Sequence, residues 1–187
     1  MKRLKRSVLA YVIVVLLLTV IPGTVTATTV SSNCGSWRVV SSPNAGLNSS
    51  VLNGVAAVSR NDIWAVGTSI TSSMADLTLT EHWNGKKWHI VSSPNAGSVT
   101  NQLRGVTHIP GTSHAWAIGF SESGSGSAQT LTEEWNGMSW KIVSSPSVGS
   151  FLNTLNGVAK VSSTRVWAVG YSNSTNYQTL TEFYCQY

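Results

Sequence analysis

The sequence predicts an all-β repeat protein, because two motifs recur at one period and the composition suits strands. Val-Ser-Ser-Pro ends at Pro43, Pro94 and Pro146, and Trp-Ala-(Val or Ile)-Gly begins at Trp64, Trp116 and Trp167. The intervals are all 51 or 52 residues. Val, Thr and Trp stand between clusters of Gly, Asn and Ser, a pattern typical of short strands and tight turns.

Each repeat unit contains four strand-like segments. In the first unit they cover residues 52–59, 62–68, 77–83 and 87–93. Asn84-Gly85 joins the third segment to the fourth, and Asn-Gly tolerates positive φ at both central positions of a tight hairpin. Four antiparallel strands repeated at this period are typical of a β-propeller blade.

The second strand of each unit alternates large and small residues, which predicts how neighbouring units pack. Trp64 and Val66 lie on one face, and Ala65 and Gly67 on the other. A large face against a small one lets adjacent sheets approach, and this stacking builds the core. The aromatic residues expected to serve this structural packing are Trp37, Trp64, Trp83, Trp88, Trp116, Trp135, Trp140, Trp167 and Tyr184.

The units resemble the β-propeller repeats common in secreted bacterial proteins, broadly kelch-like or like the propellers of photosystem assembly factors. The resemblance rests on residues 62–67 (Asp-Ile-Trp-Ala-Val-Gly) and 81–88 (Glu-His-Trp-Asn-Gly-Lys-Lys-Trp). The chain has no kelch double glycine, no Trp-Asp dipeptide with a Gly-His partner and no Asp-box. The resemblance therefore implies a fold and no activity.

Both ends of the chain are out of phase with the repeat. Residues 36–43 match a lone fourth strand, and the units 47–94, 95–146 and 147–187 leave the last one with three strands. We therefore expect three four-stranded blades, with the N-terminal strand completing the last blade. Since propellers usually have about 4 to 8 blades, a homodimer that closes a six-bladed ring is favoured slightly over a three-bladed monomer. A fragment of a longer propeller is the other alternative.

The two cysteines, Cys34 and Cys185, map onto the hairpin turn that the chain break removes from the shared blade. A disulfide there, within one chain or between two, would replace the missing turn. Two unpaired thiols are the alternative.

Residues 1–27 read as a secretory signal peptide. Lys2, Arg3, Lys5 and Arg6 precede a short apolar run, and Val25-Thr26-Ala27 supplies a small-residue cleavage site. Residues 28–187 would then be an extracellular propeller domain, or a cell-envelope one if the leader is retained as an anchor. The leader carries four of the twelve lysines and arginines, which leaves eight against seven acidic residues. This near-neutral, scattered charge disfavours a nucleic-acid partner.

Binding is expected on the face that carries the second-to-third loops and the connections between blades, because these segments are the longest and most variable. The binding residues predicted on this loop face are Asn53, Arg104, Asn156, Phe120 and Tyr171. The interpretation that these loops are neutral linkers stays open.

No residue pattern fixes a catalytic site, a metal site or a cofactor. Glu81, Glu133 and Glu182 recur once per unit, which is typical of a structural role. The histidines lack metal-ligand spacing. The leading hypothesis is a secreted, non-enzymatic module that binds protein or cell-surface polymer. The alternatives are a lectin-like propeller and, last, a polysaccharide hydrolase or lyase that uses Glu133, Glu182 or Arg104.

Overall fold

A computed structural model describes residues 35–45, 48–109, 111–124, 126–162 and 164–185. Within these ranges the chain forms eleven β-strands and no helix, which confirms the all-β prediction. The strands are β1 (Ser49–Ser59), β2 (Asp62–Ile70), β3 (Asp76–Trp83), β4 (Trp88–Val91), β5 (Thr100–His108), β6 (Ala115–Glu122), β7 (Ala128–Trp135), β8 (Trp140–Ile142), β9 (Leu152–Ser162), β10 (Arg165–Asn173) and β11 (Tyr177–Cys185).

The strands form three units that follow the sequence repeat. β1–β4 make a four-stranded antiparallel sheet in chain order. β5–β8 and β9–β11 make the second and third units in the same way, and one parallel pair, Ala128 with Leu152, joins them into a seven-stranded sheet. In the described part of the chain these two sheets do not close into a ring.

The units stack with the large face of one against the small face of the next, as the alternation in the second strands predicts. Trp64 and Val66 of the first unit belong to one buried cluster with Ala115 and Ala117 of the second. Ile118 of the second unit clusters in the same way with residues of the third, namely Leu155, Ala168 and Leu180. The core therefore lies between the units.

Each first strand carries a one-residue β-bulge at the variable position of Leu-x-Gly-Val. The pairing skips Asn53 in β1, Arg104 in β5 and Asn156 in β9. The glycine of Trp-Ala-Val-Gly lies directly against this irregularity. A Cβ on Gly119 would lie 1.8 Å from the carbonyl oxygen of Gln102. Because no real Cβ approaches an oxygen so closely, the bulge requires glycine in the neighbouring strand.

The connections between units are held by two equivalent buried asparagines. Asn153 donates hydrogen bonds to the carbonyl oxygens of Ala128 (3.0 Å) and Gly149 (2.7 Å), and its Oδ1 accepts one from the Gly149 amide. Asn101 makes the corresponding bonds one repeat earlier. Both side chains are fully buried, so each fixes the connection with satisfied polar groups.

In the hairpin between the third and fourth strands only the glycine has a positive φ, whereas positive φ was expected at both central residues. Gly85 has a φ of 87° and Gly137 one of 92°. Among the described non-glycine residues only Met74 has a positive φ, so Asn84 does not share the left-handed conformation. Its Oδ1 instead accepts hydrogen bonds from the amides of Lys86 and Lys87, both at 3.1 Å. The asparagine acts here as a side-chain cap for the turn.

Residues 39–43 form no strand, so the predicted closing strand 36–43 is not formed in the described chain. Val39 is fully exposed, and so is Trp37. Trp167 is 44% exposed, because in the described chain no further unit covers the outer face of the third unit. These two tryptophans therefore do not pack in a core as expected. Trp64, Trp116 and Trp140 are buried, and Trp83, Trp88, Trp135 and Tyr184 are partly buried.

The predicted signal peptide and Cys34 lie outside the described residues. The pairing of Cys34 with Cys185, which ends β11, therefore stays a prediction. No helix in the described ranges is long and apolar enough to cross a membrane.

Candidate functional site

Three of the five predicted binding residues come together where β5 and β6 of the second unit meet β9 of the third unit. The Arg104 guanidinium donates a hydrogen bond of 2.7 Å to Oδ1 of Asn156. Its Cζ atom lies 4.7 Å from the centre of the Phe120 ring. Asn53 reaches the same row from the first unit, because its Nδ2 donates to the carbonyl oxygen of Leu103 at 2.9 Å. We call these four residues the bulge row.

The bulges explain why these side chains project together. A bulge inserts an extra residue that is left out of the ladder, and it re-aims that residue's side chain. The extra residues fall at the fifth position of β1, β5 and β9, so stacking of the units brings them into a row. They lie within the first strands. The signal in the sequence was the variable position of Leu-x-Gly-Val.

Arg104 gives the bulge row its chemistry. The guanidinium carries five N–H donors in a planar fork, and the bond to Asn156 uses one of its nitrogens. The Phe120 ring holds the planar group in place through a cation–π contact. The side chain is partly exposed, so remaining donors can reach solvent. Such a held fork suits a carboxylate or another planar anionic group.

Tyr171 does not join the bulge row through any contact in the described part of the chain. Its ring packs edge-to-face against Tyr177, with 5.4 Å between the ring centres. Tyr171 lies on β10 and Tyr177 opens β11, so the pair stabilises the hairpin between these two strands.

A hydroxyl-lined cleft of about 770 Å³ opens beside the loop of the second unit. Its lining includes Ser121, Ser123, Gln129, Thr130, Ser145 and Ser147. Among the described residues no aromatic ring lines it, so a sugar there would be held by hydrogen bonds without stacking. None of the five predicted binding residues lines this cleft. The run of serines in residues 121–127 and 144–147 was the available signal.

Of the recurring glutamates, Glu81 and Glu133 are buried and Glu182 is partly buried. Glu133 is fully buried, its two carboxyl oxygens have no hydrogen-bond partner among the described residues, and burial raises its pKa to about 8. Burial raises the pKa of Glu182 to about 7, which a hydrogen bond from Ser145 opposes, and burial also raises the pKa of Glu81. A carboxyl group without solvent access cannot meet a polysaccharide, so Glu133 is poorly placed for hydrolysis.

The histidines form local pairs. His82 Nε2 lies 2.6 Å from Asp62 Oδ1, and His114 Nδ1 lies 3.3 Å from Glu134 Oε1. Burial lowers the pKa of His108, and the charge of Lys160 lowers it further. The described residues contain no group of three or more His, Cys, Asp or Glu side chains that could hold a metal ion.

Comparison of the sequence with known protein families and with curated proteins found no match.

Proposed function

We propose that the chain is a secreted, non-enzymatic binding module whose three units are blades of a β-propeller and whose bulge row holds its ligand. The ligand class is a protein or surface polymer that presents carboxylate groups. The observation that carries the proposal is the Arg104 guanidinium, which is fixed by Asn156 and Phe120 on a rigid stack of sheets. A positioned fork loses little conformational freedom when it binds, so its bonds favour binding more strongly.

Charge supports a carboxylate ligand over a polyphosphate. A nucleic-acid site needs several cations along a stripe. Near Arg104 the fixed partners are an amide and an aromatic ring. One bidentate contact per binding site is a common way to recognise a carboxylate, whereas a phosphate backbone needs many contacts.

The test measures retention of the chain on an immobilised carboxylated polysaccharide, an acidic polypeptide and a neutral glucan. We expect the wild type to bind at least one of the acidic supports. Arg104→Ala should weaken that binding at least about tenfold, since a hydrogen bond to a charged group contributes roughly 1.5–3 kcal/mol. Arg104→Lys keeps the charge but loses the fork, so it should recover binding only in part.

Arg165→Ala is the matched control, because it removes the same charge from an exposed position at the start of β10. Equal loss of binding in both variants would show a non-specific charge effect and would contradict the proposal. The proposal would also be contradicted if the wild type bound neither of the two acidic supports.

A lectin-like module is the second candidate, and the hydroxyl-lined cleft favours it. Serine and threonine hydroxyls both donate and accept hydrogen bonds, as sugar hydroxyls do. Binding to the neutral glucan that is unaffected by Arg104→Ala would support this candidate over the first.

A further inference from the structure

In the described chain the outer edge of β11 has no strand beside it, and an apolar cleft lies next to this edge. We propose that residues 37–43 of a second copy of this chain occupy this edge as a fourth strand, and that two copies close in this way into a ring of six units. This inference concerns assembly and does not depend on the proposed ligand.

The other two units show what belongs at this edge. β4 pairs with β3 through four residue pairs that run from Trp83 with Trp88 to Thr80 with Val91. β8 pairs with β7 at the equivalent place. In the described chain β11 has one strand neighbour, β10. The repeat places Trp37 opposite Tyr184, Val39 opposite Glu182 and Val40 opposite Thr181.

A cleft of about 310 Å³ lies where a tryptophan of this fourth strand would pack. Trp116, Leu180 and Tyr184 are among the residues that line it. In the preceding unit the corresponding space holds Trp140, which is buried and lies 5.1 Å from Trp64 in an edge-to-face contact. Trp37 is the residue at the same repeat position, and its side chain is fully exposed.

Threonine side chains mark the same vacant edge. Thr78 Oγ1 donates to the carbonyl oxygen of Pro94, and Thr130 Oγ1 donates to that of Pro146, both at 3.0 Å. The equivalent Thr179 is exposed on β11. The Val-Ser-Ser-Pro segment that would satisfy it in the third unit is the one that ends at Pro43.

The connection to β1 decides between the same chain and a second copy. Residues 44–48 join Pro43 to Ser49, and residues 95–99 join Pro94 to β5 with the same length. A linker of this length joins a fourth strand to the unit stacked next to it. Residues 37–43 therefore belong to a unit that covers the open side of the first unit. In the described chain no unit lies there, and the third unit of a second copy would fill this place.

The outer faces of the third and first units both expose apolar side chains. The third unit exposes Trp167, Val169 and Phe183 at 44–49%, and the first unit exposes Val55 at 69%. Inside the chain the equivalent faces pack large against small. Two copies joined through both pairs of ends form a closed ring by two-fold symmetry. Six units lie within the usual range of about 4 to 8.

The experiment is the mass of the processed chain by light scattering on a sizing column, for the wild type and two proline variants. Val143 in the second unit donates its amide to the carbonyl oxygen of Thr132. Val40 is the equivalent residue, so Val40→Pro removes a ladder donor that the exchanged strand needs. Amides of successive residues in a strand point to opposite sides, so the Val39 amide would point away from β11. Val39→Pro is therefore the matched control, because it removes no hydrogen bond to β11.

We expect twice the single-chain mass for the wild type and for Val39→Pro, and the single-chain mass for Val40→Pro. A disulfide test adds a direct readout. Val39→Cys on one tagged copy and Glu182→Cys on a differently tagged copy should cross-link only when the copies are mixed, with Cys34 and Cys185 replaced by serine in both.

Two results would overturn the proposal. One is a single-chain mass for the wild type at micromolar concentration. The other is a dimer that persists in Val40→Pro, since that dimer would use another surface.

Discussion

At the scale of single residues, the buried glutamate of the second unit is the most unusual group. Glu133 repeats a position that Glu81 and Glu182 share, and in the first two units packing buries this carboxyl group. Burial penalises the charged form, and the pKa of Glu133 rises to about 8 as a result. The folded protein therefore holds a proton on Glu133 at neutral pH, and its stability must depend on pH.

The sign of this dependence follows from proton uptake. The ordinary pKa is 4.5, so between pH 4.5 and about 8 the folded chain binds a proton at Glu133 that the unfolded chain has lost. The free energy of unfolding consequently falls as pH rises through this range. Glu182, whose pKa is about 7, adds to the fall mainly below pH 7.

Glu133→Gln should flatten the upper part of this profile. Between pH 7 and 8 the wild type should lose about 1 kcal/mol of unfolding free energy through this group, and the variant should not. Urea denaturation at pH 5, 7 and 8 measures the difference. Glu134→Gln is the control, because that side chain lies on the other face of β7 and contacts His114. An unchanged slope in Glu133→Gln would show that the carboxyl group is solvated in the folded state.

At the scale of secondary-structure elements, one repeated motif forms a bulge and the other provides the space that the bulge needs. Leu-x-Gly-Val places one extra residue in the first strand, and the glycine of Trp-Ala-Val-Gly makes room for the displaced carbonyl group. The two motifs are therefore parts of one structural device, which also projects Arg104 towards Asn156.

Gly119→Ala tests this device. A Cβ at 1.8 Å from the Gln102 oxygen forces the two strands apart, so the variant should lose at least about 2 kcal/mol of unfolding free energy in chemical denaturation. Gly126→Ala is the comparison, since its space is open and a φ of 73° is its only penalty, worth roughly 1–2 kcal/mol. A smaller loss for Gly119→Ala than for Gly126→Ala would mean that the bulge relaxes.

Local patterns were sufficient to predict these elements but not their irregularities. The second segment was predicted at 62–68, and the structure has the strand at Asp62–Ile70. The agreement is close because the alternation of large and small residues and the flanking turn residues are local signals that specify a strand within a few residues. The bulges were missed, since a one-residue insertion leaves the alternating pattern almost unchanged. The bulge row depends on contacts between units, from Arg104 to Asn156 and from Asn53 to Leu103, and no local pattern specifies these contacts. The predicted strand at 36–43 needs a distant partner, so its sequence alone does not decide its pairing.

At the scale of the whole molecule, equivalent tryptophans have unequal surroundings because the stack has two ends. Trp64 and Trp116 are 2% and 3% exposed, since each is covered by the next unit. Trp167 stands at the same repeat position on the last unit and is 44% exposed. The same residue type therefore stabilises the fold at two positions and is available for assembly at the third.

Substitution of these tryptophans separates folding from assembly. Trp116→Ala should cost about 3–5 kcal/mol of unfolding free energy at every protein concentration, as expected for a large buried side chain. Trp167→Ala should cost far less in dilute solution, because much of the side chain already faces water. If two copies cover each other's ends, the wild-type melting temperature should rise with protein concentration, and Trp167→Ala should remove most of that rise. Melting curves over a hundredfold range of concentration measure both effects. A wild-type melting temperature that is independent of concentration would contradict the coupling of the open ends to assembly.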